Sequence, residues 1–125
     1  MARIPDLVYR ALQELDTPAV FTTVDPAGNP NAAYVMLVKI DNPEIVLLND
    51  SVFSKTRENI LSGSRGSVVF LTRDHKAYQI KGALVYHTSG TLFDHMRRVV
   101  ESTHARVAAV EMVVDEVYEG AERLL

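Results

Sequence analysis

The residues best suited to chemistry lie in one stretch, Glu44 to Asn59, E-I-V-L-L-N-D-S-V-F-S-K-T-R-E-N. Ile45-Val46-Leu47-Leu48 is a short apolar run of strand character. Asn49-Asp50-Ser51 is a polar hinge, and Ser54-Lys55-Thr56 leads into Arg57-Glu58-Asn59-Ile60-Leu61, which has the pattern of a short helix. A strand that passes through a polar loop into a helix leaves backbone N–H groups unpaired at the helix start. Those donors and the positive end of the helix dipole favour an anion. Ser54 and Thr56 add hydroxyl donors, and Lys55 adds an ammonium that suits a phosphate as a point charge. The stretch therefore reads as a phosphate seat. The competing reading makes Ser54 a plain helix cap and the neighbouring Lys and Arg solvated surface, and short motifs of this kind are easily matched by chance.

Composition narrows what surrounds such a seat. The chain has 125 residues, which suits a single domain spanning 1–125. Hydrophobic residues make up 47% and charged residues 23%, a normal balance for a soluble globular protein. A formal net charge of -3 argues against a nucleic-acid binder that works by neutralising phosphates. With no cysteine, disulfides, thiolate catalysis and cysteine-bound metals are excluded. The apolar runs fall short of a membrane span, and Met1-Ala2-Arg3-Ile4-Pro5 carries no apolar core of a secretory signal. The expectation is a cytoplasmic protein that binds neither membrane nor nucleic acid.

The elements that must position the seat follow from periodicity. Residues 5–16 predict a helix, with Leu7, Val8, Ala11, Leu12 and Leu15 on one face. Residues 19–25 predict a strand, Pro26-Ala27-Gly28-Asn29 a turn, and about 30–40 the second strand of a hairpin. In that strand Asn31-Ala32-Ala33-Tyr34-Val35-Met36 mixes small residues with one aromatic; small side chains let a flat ligand, or another strand or subunit, lie close to the backbone. Ser62 to Gly66 is a loop with a glycine placed for a helix C-cap, and 67–72 and 77–87 are strands around the charged turn Arg73-Asp74-His75-Lys76. Gly82 in mid-strand predicts a bulge or a close approach. Thr91 with Asp94 resembles a capping box opening a helix whose apolar face is Leu92, Phe93, Met96, Val99 and Val100, with Arg97, Arg98 and Glu101 facing solvent. Residues 105–118 predict a strand long enough to suggest that part of it packs on a second subunit. About six mostly antiparallel strands with three helices pack most simply as a closed or nearly closed β-barrel with its helices outside.

That order of elements, with N-P-N-A-A-Y-V, then I-V-L-L-N-D, S-K-T-R-E-N-I and Y-Q-I-K-G-A, resembles the FMN-binding split barrels related to pyridoxamine 5′-phosphate oxidase, from about Ala19 to Tyr118. In size it is closest to the small bacterial FMN-binding protein of that family. The resemblance implies a mainly β fold, a six-stranded antiparallel split barrel with flanking helices. It also implies a homodimer with flavin at the subunit interface. The phosphate would then fall on Ser54, Lys55 and Thr56. Ala32, Ala33, Tyr34, Val35 and Met36 would edge the isoalloxazine and ribityl parts, with Asn49 and Asp50 under the ribityl chain or ring edge. Tyr78 and Gln79 match the strand beside the phosphate, and Tyr118 with the tail to Leu125 could reach the partner's flavin. The sequence also departs from the vitamin B6 oxidases. Met36 and Leu37 stand where those enzymes resemble a further arginine site, only Lys39 there is basic, and no tryptophan is present for a substrate segment. Synthesis of pyridoxal phosphate is not expected.

Two further constellations carry less. His75, His87, His95 and His104 share no tight spacing, so no metal site is expected of them, with His95 and His104 read as surface residues. Glu111 and Asp115 lie on one face of a strand and suit paired acid–base carboxylates, but an exposed strand face explains them more simply. The functional expectation is an FMN-dependent oxidoreductase acting on a small molecule, the flavin supplying the redox chemistry and the protein its orientation. The alternatives are a non-enzymatic electron carrier or flavin store, and a relative that binds deazaflavin or haem, the last needing an axial ligand such as His87 or His104.

Overall fold

Helix α1 (Asp6–Glu14) starts directly after Pro5, whose fixed φ suits a helix entry, and buries Val8 and Leu12, one turn apart on one face. The computed structural model describes residues 2–125. Its first helix stops at Glu14 because Leu15 turns extended. The carbonyls exposed by that stop are answered by one side chain: Lys39 Nζ donates to Leu12 O and Leu15 O, each at 2.6 Å. Burial lowers the Lys39 pKa, against the pull of Asp16.

Strands β1 (Ala19–Val24) and β2 (Pro30–Val35) form the expected hairpin. The Asp25 carboxylate closes its turn by accepting from Ala27 N and Asn29 N, and Gly28 takes φ +87°. Those bonds, the Asn29 backbone and side chain first, lower the Asp25 pKa. The single strand expected to Ile40 is two strands. β2 ends at Val35, which pairs Ala19 of β1, while β3 (Leu37–Val38) pairs Leu48 and Leu47 of β4 (Ile45–Asp50). Across Met36 the chain leaves one end of the sheet and joins the other.

Helix α2 (Lys55–Leu61) follows β4, and Ser62-Gly63-Ser64 reverses the chain, with Gly63 at φ +92°. Then come β5 (Arg65–Leu71), β6 (Ala77–His87), α3 (Thr91–Val99), β7 (Ala108–Glu119) and β8 (Glu122–Arg123). The sheet is wholly antiparallel, in the order β2-β1-β5-β6-β7-β4-β3, with β8 on β7. Its outermost strands, β2 and β3, are consecutive in sequence, so the sheet must curl until its ends meet. The fold is a mainly β split barrel with flanking helices and, among the described residues, eight strands. The two beyond the expected six are β3, cut from its neighbour, and β8, where the tail folds back at Gly120 and Leu124 N donates to Val117 O.

Phe21, Leu48, Val68, Tyr78, Ile80 and Met112 fill the barrel with α1 and Ile60 of α2, while α3 seals an outer cluster of Val38, Leu47, Met96 and Ala109. Cover on both faces of β4 explains its unbroken apolar run. The length of β7 is used within the chain, since it pairs β6 on one side and β4 then β8 on the other. The register shifts between Lys81 and Gly82, as the bulge reading anticipated, and a Cβ at Gly82 would stand 2.0 Å from Val113 O. The capping box does not form: Gly90 is the N-cap of α3 and no side chain caps it.

Candidate functional site

No ladder joins β2 to β3 or β4 among the described residues, and β4 pairs β3 only at Leu47 and Leu48. The barrel is therefore open between the free edge of β2 and the end of β4. A cleft of about 630 Å³ lies along this opening, within the range of a small-molecule or cofactor site.

One end of the cleft is the start of α2, lined by Ser54, Lys55 and Thr56. The helix begins at Lys55, two residues before the sequence pattern alone suggests, which brings its unpaired N–H groups to the cleft. Ser54 sits at the cap position but its hydroxyl makes no capping bond, so it is available to something else. Lys55 is exposed and takes part in no ion pair among the described residues. Thr56 is buried, and its Oγ1 accepts 2.9 Å from Asn31 Nδ2, which ties the start of α2 to the open edge of β2. The hydroxyl proton of Thr56 is left to donate.

The middle is a floor of small and apolar groups. Ala32, Ala33, Tyr34, Val35 and Met36 supply one wall from β2 and the crossing, and Val52 and Phe53 supply the other. Phe53 is anchored on Phe21, ring centroids 6.1 Å apart. Tyr34 is 80% exposed and Val52 83%, so the mouth of the cleft is rimmed with apolar surface. Farther along, where Leu37 pairs Leu48, Asn49 lines the cleft. Its Nδ2 donates to Ala105 O at 3.0 Å, but its buried Oδ1 has no hydrogen-bond partner among the described residues. A buried, unpaired acceptor is costly unless something donates to it.

Asp50, Tyr78 and Gln79, placed by the resemblance near the cofactor, do not line this cleft. Asn49 and Asp50 continue β4 rather than forming a hinge, so alternation sends Asp50 inward where Asn49 reaches the cleft. Fully buried, Asp50 accepts from Arg57 Nε at 2.7 Å and Nη2 at 3.0 Å, from Tyr86 OH at 2.5 Å and from Phe53 N at 3.0 Å. Burial pushes its pKa up, yet the bonds from Arg57, Tyr86 and the Phe53 amide leave it below the usual carboxylate value. The Tyr86 hydroxyl is raised, by burial first and then by Asp50. Arg57 is thereby committed to Asp50, whereas Lys55 at the start of α2 has no ion-pair partner among the described residues. Tyr78 packs on Phe70 in the core, centroids 5.7 Å apart, and Gln79 points to the other face, donating to Ser67 Oγ at 2.8 Å.

Sequence reading missed several lining residues. Asn31 stands beside the alanines and had a local signal, an amide at the start of a strand. Val99, Val100 and Glu101 reach the cleft from the end of α3, together with His104, which the sequence had offered only as a haem ligand. They lie about fifty positions from the seat, and only the sheet order brings them there. Lys39 also lines the cleft, while its ammonium serves α1. His87 Nε2 is held by Glu111 Oε1 at 2.8 Å, His95 Nε2 by Lys39 O, and Asp115 by Arg65, which gives the strand carboxylates structural partners.

An antiparallel split barrel with a cleft along its open edge and the start of α2 at one end of that cleft is the class defined so far. The family model described as pyridoxamine 5′-phosphate oxidase matches residues 8–121. The chain belongs to that family. Solved structures agree in fold. HupZ of Group A Streptococcus superposes with a TM-score of 0.80 at 18% identity, over 94% of each chain. A putative pyridoxamine 5′-phosphate oxidase of Lactobacillus delbrueckii gives 0.74 at 19%, over 93% of each chain. An FMN-binding protein of Syntrophomonas wolfei gives 0.71 at 12%, over 93% of this chain and 90% of that one. No curated protein matches.

Proposed function

We propose that the protein is an FMN-binding flavoprotein, a homodimer that carries out redox chemistry on a small molecule through the flavin. The reading is carried by the polarity of the cleft: unpaired donors at one end, a floor of small residues, and an orphaned acceptor farther along. Ser54, Lys55, Thr56 and the first N–H groups of α2 would hold the phosphate. Ala32 and Ala33 leave room for a flat ring beside the open strand edge, and the buried Asn49 Oδ1 would accept the ring's imide N–H. When bound, the flavin supplies electron transfer. The chain supplies the orientation and, through Phe53, Val52 and Met36, a wall that keeps water back. Apolar rim residues as exposed as Tyr34 and Val52 favour a second copy as their cover.

The test is a visible spectrum of the purified protein with added FMN, together with light scattering. Flavin bands in a dimer, with affinity falling about tenfold or more in Lys55→Ala, as expected for a charge-assisted hydrogen bond, support the proposal. A protein that ignores FMN, or binds it equally well without Lys55, overturns it. One observation favours a second reading, haem held by an axial histidine: His104 lies on the cleft wall, whereas His87 is engaged by Glu111. A Soret band on adding haemin that disappears in His104→Ala would establish that reading.

A further inference from the structure

Helix α2 has little apolar surface with which to fix its own position. Its 7 residues are too few to hold a helix in isolation. Of its apolar residues Ile60 is buried, but Leu61 is 64% exposed. The rest of the face it turns to the barrel is polar: Thr56 and Asn59, one turn apart. Each is bonded to a different strand. Thr56 Oγ1 accepts from Asn31 Nδ2 of β2 at 2.9 Å, and Asn59 Nδ2 donates to Thr23 Oγ1 of β1 at 3.0 Å. Arg57 adds its pair to Asp50 of β4, and Ser64 Oγ, just past the helix, accepts from Val24 N at 2.9 Å. The Asn59–Thr23 pair is enclosed on both sides: Asn59 is 6% and Thr23 4% exposed. Neither lines the cleft. Thr23 ends the inward row Ala19, Phe21, Thr23 of β1, which is otherwise apolar.

We infer that Asn59 and Thr23 are positioning residues for the α2 end of the cleft: their hydrogen bond sets the rotation of α2 about its axis, and with it where Ser54, Lys55 and Thr56 point. An apolar pair at these positions would fill the same space but accept neighbouring rotations of so short a helix, because apolar contact is non-directional. A hydrogen bond weakens steeply off its axis and so selects one of them. A rotation by one residue carries Lys55 about 100° round the helix. Selecting one packing among several of similar energy is the best-attested use of a buried polar pair. The inference rests on the cofactor reading for what Lys55 and its neighbours hold, but not for the placing of α2.

The full-length protein, Thr23→Ser, and the double variant Thr23→Val with Asn59→Leu are compared by thermal melting and by fluorescence titration with FMN and with riboflavin, which lacks the phosphate. The double variant removes both partners and strands neither, so its Tm stays within about 2 °C of the parent's. Its FMN binding falls about tenfold, as for the loss of one charge-assisted hydrogen bond, while riboflavin binding is unchanged. Thr23→Ser keeps the hydroxyl and loses a buried methyl. Its Tm falls by about 4 °C or more, yet its ratio of FMN to riboflavin affinity stays at the parent's value. A pair that merely supports the core gives the reverse, the ratio following Tm. A double variant that keeps the ratio, weakens both flavins alike or fails to fold overturns the inference, as does a ratio lost in Thr23→Ser. A parent that binds no FMN overturns the cofactor reading by itself. Amide NMR shifts of Ser54 to Arg57 then decide this one: displacement in the double variant but not in Thr23→Ser supports it, and any other pattern overturns it.

Discussion

Replacing Arg57 by Ala removes one half of the ion pair that ties the cleft loop to the barrel. Asp50 is 0% exposed and would keep only Tyr86 OH and Phe53 N as donors. Stripping one partner from a buried pair typically costs about 3–5 kcal/mol. The Arg57 side chain is 35% exposed, so water entering its place takes up part of the charge, and the loss belongs at the low end, about 3 kcal/mol. In a chain of this length each kcal/mol moves Tm by about 4 °C, so Tm falls by about 12 °C at pH 7. The pH dependence is the sharper test. In the parent protein the folded-state pKa of Asp50 is depressed. Its contribution is therefore present above the unfolded carboxylate value and lost as pH falls through the folded one. Without Arg57, burial dominates and raises that pKa, so ionised Asp50 then opposes folding as pH rises. The gap in Tm between the two proteins is widest near neutrality and closes toward pH 3. Melting followed by circular dichroism from pH 3 to 8 measures both quantities. A gap of under about 3 °C at pH 7, or one that stays constant with pH, refutes the account.

Gly82→Ala sets a Cβ 2.0 Å from Val113 O, which the backbone must move to relieve; a loss of about 1–3 kcal/mol in chemical denaturation is expected, and an unchanged midpoint would mean the bulge has room. Asn49→Leu removes the orphaned Oδ1 together with the Nδ2 bond to Ala105; the two nearly cancel, so ligand-free stability moves by under about 1 kcal/mol while FMN affinity falls. Thr56→Val keeps volume but cuts the bond from Asn31; FMN binding weakens several-fold with little change in the circular dichroism spectrum, and unaltered affinity would detach Thr56 from the seat.

The fold was legible where one physical signal acted alone. Ala77 to His87 reads as one strand with two faces and is a strand over that whole span, with its bulge at Gly82 as a mid-strand glycine suggests. The run from Pro30 to Ile40 also reads as one strand, because nothing local marks Met36 as the point where the sheet's two ends meet; that break is a requirement of closure, which only the partners Ala19 and Leu48 reveal. The place of Ser54, Lys55 and Thr56 at a helix start was legible from local pattern, and they line the cleft, whereas Glu101 was read as solvent-facing because nothing in the local sequence shows that α3 ends at a cleft.

Asn49 and Asp50 show where residue type stops being informative. Both are polar, adjacent and at the end of an apolar strand, and both look like ligands of whatever the next helix binds. Alternation along β4 turns one toward the cleft and the other into the barrel, so their hydrogen bonding diverges. Asp50 has all its lone pairs engaged by Arg57, Tyr86 and Phe53, while Asn49 keeps an oxygen with no donor. The satisfied group holds the wall and the unsatisfied one faces what the wall encloses. Exchanging their roles would take a one-residue slip of β4 against β7, and that slip would also turn Leu48 out of the core and Leu47 away from α3. The register that the apolar residues enforce is therefore also what decides which of the two polar residues reaches the cleft.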